Sequence, residues 1–416
     1  MRRHGQTWVV LLAGLLVATS VHAQPSSLDA MTAMLTRTSI RAFDPARTVT
    51  DGELRQIMDA GHRTQTLDGS HPFEFVQIRD PKTLKAIGQS GKFAQWMADA
   101  PAAIAIVVRT PESPRFFREN GSMAMLNMSY KAQQLGLGTC FLGTRNNRKM
   151  KEVLGIGDNR HLLTVIPVGA AKPGETPPSP KRYPVEWTVS QGRYGSPLQL
   201  LGPQDAPATH APTGVLHSAL QSGSPIPRTG QSIGSFLDGP QQKVEEFDTT
   251  KVEPAKLATA LQAMRHAPSS KNKQHWRWVL VTDPQARQQV ARAAGDNKLA
   301  GAPVVAVLAG SQDSRPFVNP KGWGKKRTSP NFINHGAAMA LRNLQIGLQS
   351  QGLGVRIKGI ERRADNRLRV MLAPEGQRLS GKRVQFIAAV GLGYARRTST
   401  SQVRSNARVF KERYGR

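Results

Sequence analysis

The sequence predicts two copies of one mixed helix-and-strand domain in a single chain. The prediction rests on three observations. A shift of 203 positions places Ala263 on Ala60, Trp276 on Phe73, Val279 on Val76, and the strand-ending Asp283-Pro284 on Asp80-Pro81. With modest drift, Ala302-Pro303 before VVAVLA matches Ala100-Pro101 before AAIAIVV, Asn343 matches Asn127, Gly352-Leu353-Gly354 matches Gly136-Leu137-Gly138, and Val390-Gly391 matches Val168-Gly169. The whole set is colinear, and chance explains a colinear set of this length poorly.

Composition agrees with two soluble globular domains: 416 residues, 39% hydrophobic, one cysteine. Cys140 alone cannot form an internal disulfide, and its apolar surroundings read as those of an inert buried thiol. Cys and His spacings assemble no metal site. The net charge of +29 implies attraction to anionic ligands, membrane surfaces or nucleic acid. No recognised nucleic-acid module accompanies it, so nucleic acid is not an expected partner, and a generally basic background would give the same charge.

Residues 1–23 read as an export signal. Arg2 and Arg3 supply the positive start, Trp8 to Ala18 is an apolar run too short for a stable anchor, and Val21-His22-Ala23 offers a small-residue cleavage site. The expectation is a periplasmic or secreted protein without stable membrane insertion. Copy 1, residues 24–194, opens with a helix over Leu28 to Leu35 and then Arg37-Thr38-Ser39-Ile40-Arg41. Two arginines with a hydroxyl between them can converge on a phosphate, although such pairs are also common on solvated faces.

Residues 51–61 read as a helix with Leu54, Ile57 and Met58 inward, capped by Thr50 and Asp51. Phe73 to Ile78, Ala102 to Val108 and Leu162 to Val168 read as strands. The helix over 122–135 is apolar on more than one face and belongs in an interior or between the copies. It leads into GLGTCFLG, whose glycines permit close backbone approach to a ligand or simply a tight turn.

Residues 195–240 are a Gly/Pro/Ser-rich linker, 241–395 form copy 2, and 396–416 are a basic tail. Copy 2 carries APSSKNKQHW from Ala267 to Trp276, where Pro268, Ser269, Ser270 and Asn272 could hydrogen-bond a flat heteroaromatic ring, or merely join helix to strand. It also carries an insertion with Phe317, Trp323 and Lys325-Lys326-Arg327 that could be a lid or only a surface loop.

RTSIR, APSSKNKQHW, the GLG-plus-strand segment of both copies and the Val-Gly strand end followed by arginine before proline resemble the nitroreductase-like family of FMN-dependent oxidoreductases. Together these elements cover most of the chain after its export segment, apart from linker and tail. The resemblance implies an α+β fold in which tandem copies pack through long helices as an intramolecular pseudo-dimer, with FMN in a cleft between them. Carried over by position, Arg37 and Ser39 serve the phosphate, Arg41 lies near the pyrimidine edge as the candidate catalytic residue, and Arg182 adds a phosphate contact. Pro268, Ser269, Ser270 and Asn272 contribute from copy 2, while the Cys140, Phe141, Leu142 and Gly143 backbone flanks the ring. His275 stands where the family usually has proline.

The implied activity is flavin hydride transfer to a small conjugated acceptor of nitroaromatic or quinone type, with NAD(P)H as the family's donor. The alternative is a flavin-binding or scaffolding protein that has lost turnover. Each copy also departs from one motif: copy 1 reads Gln65-Thr66-Leu67-Asp68-Gly69 where the serine loop belongs, and copy 2 reads Lys243-Val244-Glu245-Glu246-Phe247 where the arginines belong. The expectation is one FMN per chain, with the pseudo-equivalent cleft lined by Asp68 and Glu245, whose acids would repel phosphate.

Overall fold

The computed structural model describes residues 28–198, 228–312, 330–401 and 408–415, apart from positions 92–93, 145–146, 176, 178–179, 378 and 382. The expected export segment, most of the linker and the insertion around Trp323 lie outside the described residues. The chain is α+β, and its two copies each build a five-stranded sheet.

Copy 1 runs α1 (Ala30–Thr36), α2 (Asp51–His62), β1 (Phe73–Ile78), α3 (Pro81–Gln89), β2 (Ala102–Val108), α4 (Phe117–Gln134), β3 (Gly138–Thr139), α5 (Arg148–Leu154) and β4 (His161–Gly169), followed by the short β5 (Val189–Gln191). The end of the linker forms α6 (Ile233–Asp238), and copy 2 runs β6 (Gln241–Phe247), α7 (Pro254–Arg265), β7 (Trp276–Val281), α8 (Pro284–Ala294), β8 (Val304–Ser311), α9 (Pro330–Ser350), β9 (Gly354–Gly359), α10 (Arg362–Met371) and β10 (Val384–Gly393). Two last strands, β11 (Ala395–Ser401) and β12 (Arg408–Lys411), end the chain.

Local chemistry explains the starts of these helices. Thr50 and Glu53 form a reciprocal capping box on α2, which buries Leu54, Ile57 and Met58. Asp80 and Asp283 cap α3 and α8, each with proline at the first helical position, where no amide hydrogen is needed. The strands β1, β2, β7 and β8 are buried along their whole length, because helices cover one face and further packing covers the other.

The repeat extends to individual contacts. Asn127 Nδ2 donates to Ala60 O at 3.3 Å, and Asn343 Nδ2 donates to Ala263 O at 2.9 Å. One sequence pairing shifts: Gly138 pairs with Gly169 on the β3–β4 ladder, whereas Gly354 pairs with Gly393, so Leu392-Gly393, not Val390-Gly391, corresponds to Val168-Gly169. Equivalent bulges, opposite Ile106/Val107 in copy 1 and at Phe386/Ala388 in copy 2, leave the strands in step, so the shift comes from the longer connection between β9 and β10 than between β3 and β4. A Cβ on Gly169 would meet Phe43 and Pro101 at 2.7 and 2.8 Å, and one on Gly393 would meet Pro303 at 2.5 Å. Gly393→Ala is therefore expected to lower stability by about 1–3 kcal/mol, read from chemical unfolding.

The copies pack through α4 and α9, helices buried on nearly every side. Tyr130 Oη donates to Asn343 Oδ1 at 2.5 Å, and the fully buried Arg342 donates to Asn127 Oδ1 at 2.9 Å, to Gln345 and to Phe236 O. The copies also exchange strands. β5 pairs in parallel with β7 of copy 2, while β12 pairs in parallel with β1 of copy 1. Both sheets thus take an edge strand from the other half of the molecule. No helix among the described residues is long and apolar enough to cross a membrane.

Candidate active site

Residues 37–41 leave α1 and run along β3, where Ser39 bridges Thr139 and Ile40 N donates to Thr139 O at 3.0 Å. This course turns Arg37 inward, to 6% exposure, with its guanidinium 5.7 Å from the Phe141 ring centroid. The Ser39 hydroxyl bonds the Cys140 thiol, whose pKa burial pushes up, so the thiol stays protonated. Arg41 is exposed at the rim, 6.0 Å from the Trp96 ring. Of the next residues, Leu142 enters the core and gives its carbonyl to Thr164 at 2.7 Å, while Gly143 is exposed.

The loop after α7 reaches this place from copy 2. Lys271, Asn272 and Gln274 hold φ of 51, 53 and 50°. Left-handed backbone at non-glycine residues costs on the order of 1 kcal/mol each, so surrounding contacts must fix it. Copy 1 supplies many of them. Asn272 Nδ2 donates to Lys181 O at 2.6 Å, Tyr183 N donates to Gln274 Oε1 at 2.8 Å, and Arg182 donates to Asn272 Oδ1 at 2.7 Å and to His266 O at 3.0 Å. Within the loop, Ser269 Oγ accepts from Gln274 N at 2.9 Å. Pro268 is buried, and Ser269 and Ser270 are half-buried. Both ends of the Asn272 amide are therefore engaged in joining the copies.

Arg37 and Arg182 are brought together with no carboxylate at ion-pair distance among the described residues, and the Nε atoms of both are buried without a hydrogen-bond partner. Burial lowers the pKa of Arg182 to about 9, with a further push from the charge on Arg37. Burial also lowers that of Arg37 itself. Two sequestered cations without a counter-charge are unfavourable unless an anion joins them. The donor set fits a phosphate monoester such as that of FMN. Arg265, which burial holds down at about 10, and Tyr130, which burial raises to about 12, complete the surroundings. Sequence reading missed both: Arg265 sits two residues before Ala267-Pro268, and Tyr130 is a polar outlier in an apolar helix.

His275 is fully buried, and burial with the charges of Arg277 and Lys273 pushes its pKa down to about 3. It belongs to the strand entry and not to the cleft's charge.

The second cleft differs from the expectation. A Cβ on Gly138 would strike Ile40, and one on Gly354 would strike Val244, so Gln241, Lys243 and Glu245 stand where Arg37, Ser39 and Arg41 stand in copy 1. Glu245 is not a bare acid repelling phosphate: Lys298, Ser399 and Arg356 at 3.3 Å bind it, and these partners, Lys298 foremost, hold its pKa down at about 2. Asp68 turns into copy 1, bonded by Ser113 and by Asn120 at 2.9 Å. Leu67 and Phe116 close against Gly359, within 2.8–3.1 Å of where a Cβ would sit.

Comparison with known proteins bears on both copies. The Nitroreductase family model matches residues 89–170 and 244–392, more than half of the chain in two segments. A protein of Archaeoglobus fulgidus provisionally named NADH dehydrogenase/NAD(P)H nitroreductase is 28% identical over 145 residues, which is 33% of this chain and 82% of that protein. A Thermus thermophilus protein named NADH dehydrogenase is 35% identical over 81 residues, 19% of this chain and 38% of its own length. Among solved structures, an FMN-dependent nitroreductase of Clostridium difficile R20291 is 22% identical, covering 35% of this chain and 90% of its own, with a TM-score of 0.33.

Proposed function

Because the chain belongs to the nitroreductase family, we propose that it is an exported oxidoreductase that binds one FMN in the cleft between its copies and reduces a small conjugated acceptor of nitroaromatic or quinone type. The observation that carries this reading is the pair Arg37 and Arg182, buried together without a carboxylate beside the strained loop of copy 2. FMN, when bound, would supply two-electron hydride chemistry that no side chain can provide.

The chain's residues have simpler tasks. Arg37 and Arg182 hold the phosphate, with Ser39 at the same end. Arg182 also grips Asn272 and so ties phosphate binding to the position of the serine loop. Phe141 and Gly143 line the ring's place from copy 1, and Pro268, Ser269 and Ser270 line it from copy 2. Arg41, exposed at the rim, offers mobile positive charge where reduction would add negative charge. NADH or NADPH is the donor that the relatives' names suggest, and a periplasmic or secreted setting would call for another reductant.

Flavin released from purified, FMN-saturated protein is expected at a ratio near one per chain, because only one cleft has both halves of the anion site. A ratio near two would refute the single site. Bleaching of the yellow protein by NADH, NADPH or a reduced quinone tests turnover, whereas yellow protein that no donor reduces would mark a flavin-binding protein without catalysis.

A further inference from the structure

The intact cleft ends where the first turns of α4 and α9 meet the start of β4. Phe332 packs on Gly143, at 2.9–3.0 Å from where a Cβ would sit. One turn on, His335 lies 6.1 Å from the Phe332 ring, with Nδ1 at 2.6 Å from Ser122 Oγ. Ser122 spends its own proton on Arg118 O at 2.6 Å, so Nδ1 of His335 carries the hydrogen in that contact and Nε2 keeps a lone pair. The Arg118 guanidinium stacks on Phe117 at 4.2 Å, and Phe117 meets the His161 ring at 4.8 Å. Burial and the charge on Arg118 push His335 down to about 3 and His161 to about 4, so both rings are neutral at pH 7.

Arg118 itself is half-buried, and among the described residues its guanidinium makes no hydrogen bond and no ion pair. The adjacent Glu119 acts on it through its charge alone, without a hydrogen bond or ion pair. That carboxylate accepts from Asn334 at 2.7 Å and lies 3.9 Å from Arg115.

The second copy shows what the same corner looks like when closed. The shared Asn127/Asn343 bonds equate Arg118 with Asn334 and His335 with Glu119, and the strand registers equate His161 with Gln385. There Asn334 bonds Glu119, the Gln385 amide, with its oxygen assigned toward the guanidinium by hydrogen-bond chemistry, faces Arg115 at 2.8 and 3.0 Å, and Arg115 also donates to Ile360 O at 3.2 Å. Every charged group in that corner has a partner. In the intact corner one cation is left over, between aromatic rings, beside the cleft.

We infer that Arg118, flanked by His161 and His335, is a binding site for a carboxylate on the aromatic acceptor, which makes the preferred substrate class an acidic aromatic and not a neutral one. Phe117 and Phe332 provide apolar surface for the ring, and the guanidinium offers paired N–H donors to the carboxylate. The inference rests on the flavin reading only for calling the ligand an acceptor.

The test is equilibrium titration of FMN-saturated protein with 4-nitrobenzoate and with its methyl ester, which removes the charge and keeps the ring. The acid is expected to bind about tenfold more tightly than the ester. Arg118→Gln should bring that ratio close to one, with FMN content and melting temperature unchanged, while Arg118→Lys should keep part of it. Equal affinity for acid and ester in the unsubstituted chain would overturn the inference without touching flavin binding, and that comparison stands even if a variant misfolds. A preference that persists in Arg118→Gln would place the carboxylate elsewhere and overturn it equally. A chain that takes up no FMN would instead sink the flavin reading. The titration on that flavin-free chain would still isolate the part of the preference that depends on Arg118.

Discussion

Arg37→Ala is expected to raise the dissociation constant for FMN by about 100-fold and, in the flavin-free chain, to raise the melting temperature. Both effects come from one cause. A charge-assisted contact to phosphate in a buried site is worth roughly 2–3 kcal/mol, which sets the loss of affinity. Without ligand the same cation is buried beside Arg182 with no counter-charge, so removing it relieves a desolvation penalty and a like-charge repulsion. Flavin titration and thermal melting of both forms read the two effects. Riboflavin, lacking the phosphate, should bind the two proteins alike. Unchanged FMN affinity, or a flavin-free variant less stable than its parent, would count against an anion site at Arg37.

Ending the chain at Ser401 is expected to lower stability by about 4–6 kcal/mol in urea unfolding. The removed segment includes β12, which is the outer neighbour of β1, and Glu412, whose carboxylate accepts from Arg79 N and Asp80 N at 3.0–3.2 Å. It also includes Tyr414, which bonds the fully buried Glu74 and Arg160. Each lost hydrogen bond contributes about 1 kcal/mol, and Glu74 would keep Arg160 as its one cationic partner. A truncated chain as stable as the full one would show that the exchanged strand is ornamental.

Much of this was legible before the structure, and the limits have physical causes. Helices and strands were readable because their signals are local: the Thr50 cap, the Asp-Pro starts of α3 and α8, and the alternation-free apolar runs of buried strands. The repeat was readable because the same contacts recur, but its register slipped near Gly393, since the connection into β10 is longer than that into β4 and Val390-Gly391 imitates Val168-Gly169 two residues early. RTSIR and the serine loop pointed to a shared site, and the structure brings Arg37, Arg182 and Asn272 together.

What the residues could not reveal was satisfaction. Glu245 looks like a repulsive acid in isolation, yet Lys298 and Arg356 are distant in sequence and neutralise it. Arg118 looks like any helix-start arginine, and only the pairing of its neighbour Glu119 with Asn334 leaves it without an ion-paired acid. Strand exchange was equally hidden, because pairing between β1 and β12 depends on chain closure across the whole molecule.

That exchange fixes an order of events in synthesis. Copy 1 leaves the ribosome first, but its sheet lacks β12 until residues 408–411 are made, and its outer strand β1 presents unpaired amides and carbonyls meanwhile. Closing that edge joins segments more than three hundred residues apart, which loop entropy makes slow compared with local helix formation. The half of the molecule that is translated first is therefore completed only after copy 2, and a nascent chain stalled short of β12 would hold an adhesive edge open to any neighbouring strand.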